Sequence, residues 1–382
     1  MTIFYAILIF TIIILVHELG HFWAARKAGI HVVEFSLGMG PRLLKFTDKK
    51  GTMFSLKLFP IGGSCRMLGE DEAVEGEEKL DENGEAIVSD APPEPNPRSF
   101  GAKSVWWRMI VILGGAAMNF ALAFVLASII SMFNVQSEPT VVGFSENSPA
   151  QAAGMLEGDR ILRLNGRRIV TRGDITLAML SVDGNPIETV VERSGERLTL
   201  AINPIYLEAE NRWLIGISHF GMGVGVFHNA LEGYYEMDGV RRMGFFEGFQ
   251  AGYQTVGFYI RATFTGLGRM IRYGLNFDEL MGPIGIVDTV GGQVAEAAEV
   301  AGGGAAFWTL LSFTVLLSAN LGVMNLLPIP ALDGGRMIFL TIEAIRKKPI
   351  PPEREAIIHF AGFVLLMGLI LVVAYNDIIR LF

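Results

Sequence analysis

The chain has 382 residues, of which 51% are hydrophobic and only 18% charged, with a mean hydropathy of +0.41. That apolar share excludes an ordinary soluble domain and points to an integral membrane protein with a few spans and one extramembrane domain. A net charge of −8 excludes a polybasic nucleic-acid surface, and the single cysteine, Cys65, excludes an internal disulfide and a cysteine-based zinc site.

Residues 1–34 hold the first expected span, Ile3 to Ala25, followed at once by Arg26 and Lys27. The apolar run has no positive segment before it and no small-residue cleavage site after it, so it reads as a retained helix. The basic pair marks its C-terminal end as cytoplasmic. Near that end stands His17-Glu18-Leu19-Gly20-His21. Helical positions i and i+4 share a face, so His17 and His21 can hold one metal ion. Glu18, one residue along, is free to take a proton from an attacking water. This is the H-E-x-x-H pattern of zinc hydrolases. Two histidines and a glutamate in an apolar span are costly unless they serve a function.

Residues 35–70 read as a membrane-associated β-hairpin. Asp48-Lys49-Lys50-Gly51 is a turn signal, and Phe54, Leu56 and Leu58 then alternate with Ser55 and Lys57. Residues 71–104 are acidic and then rich in proline, the composition of a flexible cytoplasmic loop. The second span covers 105–133. Trp106, Trp107 and Arg108 are interfacial anchors at its start, and Gly114 to Asn119 (GGAAMN) lie inside it. Asn119 needs a partner at membrane depth, either another helix or a substrate.

Residues 140–218 have the short strands, Gly turns and small helices of a compact soluble domain, placed outside by the direction of the second span. The region 245–300 is amphipathic; Glu247, Gln250, Gln254 and Arg261 favour a helix lying in the membrane interface over a span. The third span is assigned to 305–335. Pro328 and Pro330 stop regular helix there and bring Asp333 to the cytoplasmic depth of His17 and His21. The fourth span is 356–376. A catalytic zinc takes three protein ligands and keeps one open position, so Zn²⁺ on His17, His21 and Asp333 is the expected centre, with Glu18 as base.

The motifs HELGH (17–21), FSLGMGP (35–41), PIGG (60–63), GGAAMN (114–119), GPIGI (282–286) and NLLPIPALDGG (325–335) run along nearly the whole chain. With them the chain resembles the site-2 proteases, intramembrane zinc metalloproteases, of the bacterial RseP/RasP type. Ser64-Cys65 departs from the Tyr-Val usual in that family. The resemblance implies a polytopic α-helical membrane protein with about four transmembrane helices, a membrane-associated β-hairpin and one inserted extracytoplasmic PDZ-like α/β domain. It makes His17, His21 and Asp333 zinc ligands and Glu18 the base. It assigns Asn325 to holding the substrate strand and Val142-Gly143-Phe144 to a PDZ carboxylate-binding loop.

The expected activity is peptide-bond hydrolysis in the bacterial cytoplasmic membrane, with the active site toward the cytoplasm. The expected partners are the lipid bilayer and single-span substrates of the anti-sigma-factor type, already trimmed outside, together with remnant signal peptides. An unwound substrate would pair with the edge of the strand carrying Phe54, Leu56 and Leu58. Two other readings are open. A catalytically dead PDZ adaptor would have no use for an intact Glu18. A metal transporter would carry more polar residues through the middle of its spans.

Overall fold

The computed structural model of the chain describes residues 2–70, 96–133, 136–137, 139–208, 212–218, 240–241, 244–274 and 280–381. Among these the helices are α1 (Thr2–Lys27), α2 (Val105–Phe133), α3 (Pro149–Ala152), α4 (Arg172–Met179), α5 (Phe245–Tyr273), α6 (Pro283–Asn325), α7 (Asp333–Arg346) and α8 (Pro352–Leu381). The strands are β1 (Val32–Thr47), β2 (Met53–Met67), β3 (Gln136–Ser137), β4 (Gly143–Phe144), β5 (Arg160–Leu164), β6 (Arg167–Arg168), β7 (Ile187–Arg193), β8 (Glu196–Ile202), β9 (Ile205–Leu207), β10 (Arg212–Leu214), β11 (Ile217–Ser218) and β12 (Val240–Arg241). Four helices are long and apolar enough to cross a membrane: α1, α2, α6 and α8. Most of the acidic loop (71–95), and His219 and His228, lie outside the described residues. The chain divides into two compact units, Met1–Leu122 with Asn276–Gly291 and Leu317–Phe382, and Ala123–Leu275 with Gly292–Leu316.

In the first unit, α1 is apolar on every face from Ile3 to Val16, as a membrane helix is. It ends in a Schellman motif: Gly29 takes φ +71°, Ile30 N–H donates to Ala25 O, and Gly29 N–H donates to Arg26 O. Ile30 and Ala25 then join a core with Phe22, Val32, Phe35, Cys65, Met67 and Val111.

The hairpin is more folded than the alternation pattern implied. β1 and β2 both bend, so that residues 34–37 pair with 53–56 on one side and with 63–66 on the other. Residues 53–57 also pair with 42–47. The resulting order is 42–47, 53–57, 32–37, 63–67, four segments from two strands. The bend is held by Glu34, only 4% exposed, whose carboxylate accepts from Arg42 Nε (3.0 Å), Arg42 Nη2 (2.9 Å) and Ser55 Oγ (2.6 Å). Those bonds, Arg42 foremost, pull its pKa down to about 2 against the effect of burial.

The third span keeps close to its expected start at 305, just after a break at Gly302, and ends short of its expected bound at 335. α6 begins at Pro283, is interrupted at Gly302 (φ +79°), and ends at Asn325. Asp333 therefore lies beyond the span and starts a separate amphipathic helix, α7, between the third and fourth spans. The start of α6 is capped by α8: Asp377, 3% exposed, accepts Gly282 N–H (3.0 Å) and Gly285 N–H (2.9 Å). A carboxylate there also meets the positive end of the helix dipole. Arg336 pairs with Glu70, and Arg108 with Glu343, tying α7 to the end of β2 and to the start of α2.

In the second unit a four-stranded sheet has the order β6-β5-β7-β8. Its core contains Val141, Met155, Ile161, Leu164, Ile175, Ile187, Val191 and Ile202. α4 opens with a capping box between Thr171 and Asp174. α5 is bound at both ends. Gly248 and Gly252 press on Met132 and Ser128 of α2, and Arg261 donates to Asp174 Oδ1 (2.8 Å). Arg167 Nη2 donates to Thr265 Oγ1 at 3.1 Å.

Candidate metal centre

The site is assembled from three segments of the first unit. α1 places His17 and His21 one turn apart, 7% and 9% exposed. His21 Nδ1 lies 2.9 Å from the Val111 carbonyl of α2. A carbonyl only accepts, so Nδ1 carries the hydrogen and Nε2 is left with its lone pair.

Asp333 is delivered by the 326–332 loop. Pro328 sits in a tight turn closed by Ile329 N–H to Leu327 O (2.7 Å), and Ala331 takes φ +78°. His359 of α8 holds that turn, accepting Ala331 N–H at Nδ1 (2.9 Å). The loop folds back over the first turn of α7. A Cβ on Gly334 would stand 2.1 Å from Leu327 O, and one on Gly335 2.5 Å from Ile329 O. The double glycine after Asp333 is thus required by backbone contact.

Three potential ligand atoms converge. His17 Nε2 is 3.1 Å from His21 Nε2 and 3.2 Å from Asp333 Oδ2, and His21 Nε2 is 3.5 Å from the same oxygen. Tetrahedral zinc with bonds of about 2.0–2.1 Å separates its ligands by about 3.3 Å, so the observed spacings fit. Asp333 Oδ2 is buried without a hydrogen-bond donor. A carboxyl oxygen without a donor, facing the bare Nε2 of His21, calls for a cation. Gly115 of α2 leaves the space open: a Cβ there would come 2.4 Å from His21 Nε2 and 2.6 Å from His17 Cε1.

Around this cluster stand three further polar groups. Glu18 passes beside Gly63 of β2, where a Cβ would be 3.1 Å from Glu18 Cγ. Asn119, fully buried, sets Nδ2 3.2 Å from His17 Nδ1. Asn325, the last residue of α6, has Nδ2 3.4 and 3.3 Å from the two nitrogens of the same ring.

The other expected contacts are placed elsewhere. Phe54 and Leu56 lie in the segment paired on both sides, so the edge assigned to Phe54, Leu56 and Leu58 is already occupied over 53–56. Phe54 instead packs among Phe22, Phe35 and Phe46. Residues 42–47 and 63–67 are paired on one side only among the described residues. In the second unit, Gly143 and Phe144 form β4, paired with Ile217–Ser218, and Phe144 packs on the core. The expected Val142-Gly143-Phe144 loop is thus largely strand. The positive-φ turn beside it is Gly216, at φ +72°. Sequence reasoning missed His359, Asp377 and the Val111 carbonyl. No local pattern marks them, since each acts on a segment at least 28 positions away.

The profile of Peptidase family M50 matches residues 5–369. The chain belongs to Peptidase family M50. A putative zinc metalloprotease of Clostridium perfringens is 35% identical, with 99% of each chain covered. The zinc metalloprotease RasP of Shouchella clausii is 32% identical, with 98% of each covered. The regulator of sigma-W protease RasP of Bacillus subtilis is 31% identical over 100% of this chain and 99% of its own. Family membership spans both His17-Glu18-x-x-His21 and Asp333, the two segments that the fold brings to one point.

Proposed function

We propose that the chain is an intramembrane zinc metalloprotease of the bacterial cytoplasmic membrane, cutting peptide bonds inside the transmembrane segments of single-span proteins. The observation that carries this reading is the meeting of His17, His21 and Asp333 at one point of an apolar helix, with Glu18 adjacent. His17, His21 and Asp333 would hold the ion. Zinc bound there supplies Lewis acidity, polarising the scissile carbonyl and acidifying water. Glu18 accepts the proton of the attacking water and returns it to the leaving amine. Asn325, whose Nδ2 lies 3.4 and 3.3 Å from the two His17 ring nitrogens, would hold the substrate backbone near the ligands.

A transmembrane helix hides its peptide bonds and must be unwound before cleavage. The 63–67 edge suits this step, because its first residue, Gly63, lies against Glu18. A substrate strand added there would carry its backbone past the base. This replaces the 54–58 edge. The Bacillus subtilis relative is named a regulator of sigma-W protease; in this reading the substrates are of the anti-sigma-factor type, trimmed outside before this cut. Remnant signal peptides offer the same chemistry: a short apolar helix with no large outer domain. The soluble part of the second unit acts, in this reading, as an extracytoplasmic PDZ-like domain that selects trimmed substrates, with the zinc centre toward the cytoplasmic side.

The test is to map the cut. A purified single-span substrate, incubated with the protein in detergent with and without a chelator, is read by mass spectrometry of the fragments. The reading expects new termini within the apolar segment, absent on chelation. Termini confined to soluble flanks would overturn it.

A further inference from the structure

His17 must present one ring nitrogen to the ligand cluster and satisfy the other. The nitrogen in the cluster is Nε2, within 3.2 Å of both His21 Nε2 and Asp333 Oδ2. A neutral imidazole that ligates through Nε2 carries its hydrogen on Nδ1. In a buried site that N–H requires an acceptor.

The group in reach is the Asn119 amide, 3.2 Å from Nδ1. Asn119 is 0% exposed, and its Oδ1 is buried with no hydrogen-bond partner while Nδ2 faces the ring. One change resolves the mismatch at the ring. A half-turn of the amide exchanges Nδ2 and Oδ1, so that oxygen meets the Nδ1 hydrogen. Asn325 cannot serve instead. Its Nδ2 is 3.4 Å from Nδ1 and 3.3 Å from Nε2, and a point so nearly equidistant lies off the ring plane, since in the plane it would collide with Cε1. Ring nitrogens donate and accept in the plane.

We infer that Asn119 is a positioning residue: its Oδ1 accepts the His17 Nδ1 hydrogen and so fixes the tautomer and ring plane that aim Nε2 at the metal. α2 then orients both imidazoles, His21 through the Val111 carbonyl and His17 through Asn119. The backbone of Asn119 is itself anchored, its carbonyl accepting Ser318 Oγ at 2.8 Å. The inference rests on the zinc reading above and adds a residue that acts through a ligand without touching the ion. Losing such a support weakens metal binding by about 10–100-fold.

The experiment uses the full chain in detergent, with zinc affinity measured against a competing chelating dye. Asn119→Leu keeps the branched outline at a larger volume and removes the acceptor; Asn119→Asp keeps the acceptor. Asn119→Leu is expected to bind zinc about 10–100-fold more weakly, and Asn119→Asp to stay within about threefold of wild type. Thermal unfolding of the metal-free forms is run beside it, with equal midpoints expected for Asn119→Leu and wild type. Spectra of ¹⁵N-histidine in the zinc-loaded wild type should show a protonated His17 Nδ1, a readout independent of any variant. The inference is overturned by wild-type affinity in Asn119→Leu, by a metal-free form of that variant as weakened as its zinc binding, or by a bare Nδ1. A wild-type protein that binds no zinc would instead overturn the reading on which it rests.

Discussion

Gly20 of α1 and Gly114 of α2 meet backbone to backbone. A Cβ on Gly20 would stand 2.1 Å from the Gly114 carbonyl oxygen, and one on Gly114 would stand 2.6 Å from that of Gly20. No side chain fits between the helices, as at the small-residue contacts of membrane proteins. That approach puts the Val111 carbonyl within reach of His21 and the bare face of Gly115 beneath both imidazoles. Gly115→Ala should therefore displace the ion while every ligand remains, lowering zinc content well below one per chain with loss of cleavage. Gly101→Ala, where a Cβ meets nothing within 4 Å, is the control and should change neither. Elemental analysis of the purified variants reads the outcome; full zinc content in Gly115→Ala would refute it.

The hairpin beside Glu18 should depend on pH through Glu34. Its carboxyl titrates at about 2 in the folded chain, against 4.5 unperturbed, mainly through Arg42. The unfolded chain thus binds the proton first, so the stabilisation is complete above about pH 4.5 and is lost as pH falls toward 2. Thermal unfolding of the wild type should show this acid loss. Glu34→Gln should be less stable at neutral pH and should show a shallower decline below pH 4.5. Parallel curves for the two proteins would contradict the assignment.

Much of this was legible before any coordinates. HELGH puts His17 and His21 on one face because helical spacing alone brings them together, and the run from Val105 to Phe133 announces α2 to the residue by its apolar length. What stayed hidden depends on long-range pairing. The alternation at Phe54–Leu58 signals a strand but not its neighbours, and bends at Gly38, Gly40 and Gly62, all with positive φ, let two strands become four segments. The prolines after Asn325 signal the end of α6, yet nothing nearby shows that Asp333 begins another helix.

Asp377 illustrates a tether of that hidden kind. Its carboxylate satisfies one buried and one half-buried N–H group at the start of α6. Asp377→Ala leaves both unpaired and should cost about 2–4 kcal/mol, with Asp377→Asn intermediate because one acceptor oxygen remains. Thermal midpoints of the metal-free proteins rank the three; an unchanged midpoint in Asp377→Ala would remove the tether from the account.

Arg261 should fasten α5 to α4. Asp174 has no exposed surface and takes two of its bonds from Arg261 Nη2, at 2.8 and 3.1 Å. Its carboxyl stays below the usual range because, although burial raises it, the Thr171 N–H and Arg261 outweigh that. Arg261→Met should therefore destabilise the second unit by about 3 kcal/mol, since it leaves a buried carboxylate short of its cation. Adding Asp174→Asn should recover part of the loss. Hydrogen exchange over 170–180 follows both, and additive losses would count against the pair.

The central claim is that His17, His21 and Asp333 bind the ion while Glu18 moves the proton. Glu18→Gln separates the two most directly, because it removes the base and no ligand. Zinc content and cleavage of a single-span substrate are measured on the same preparation. The account predicts one zinc per chain and a rate at least about 100-fold lower than wild type. Cleavage at the wild-type rate by the zinc-loaded variant would contradict it.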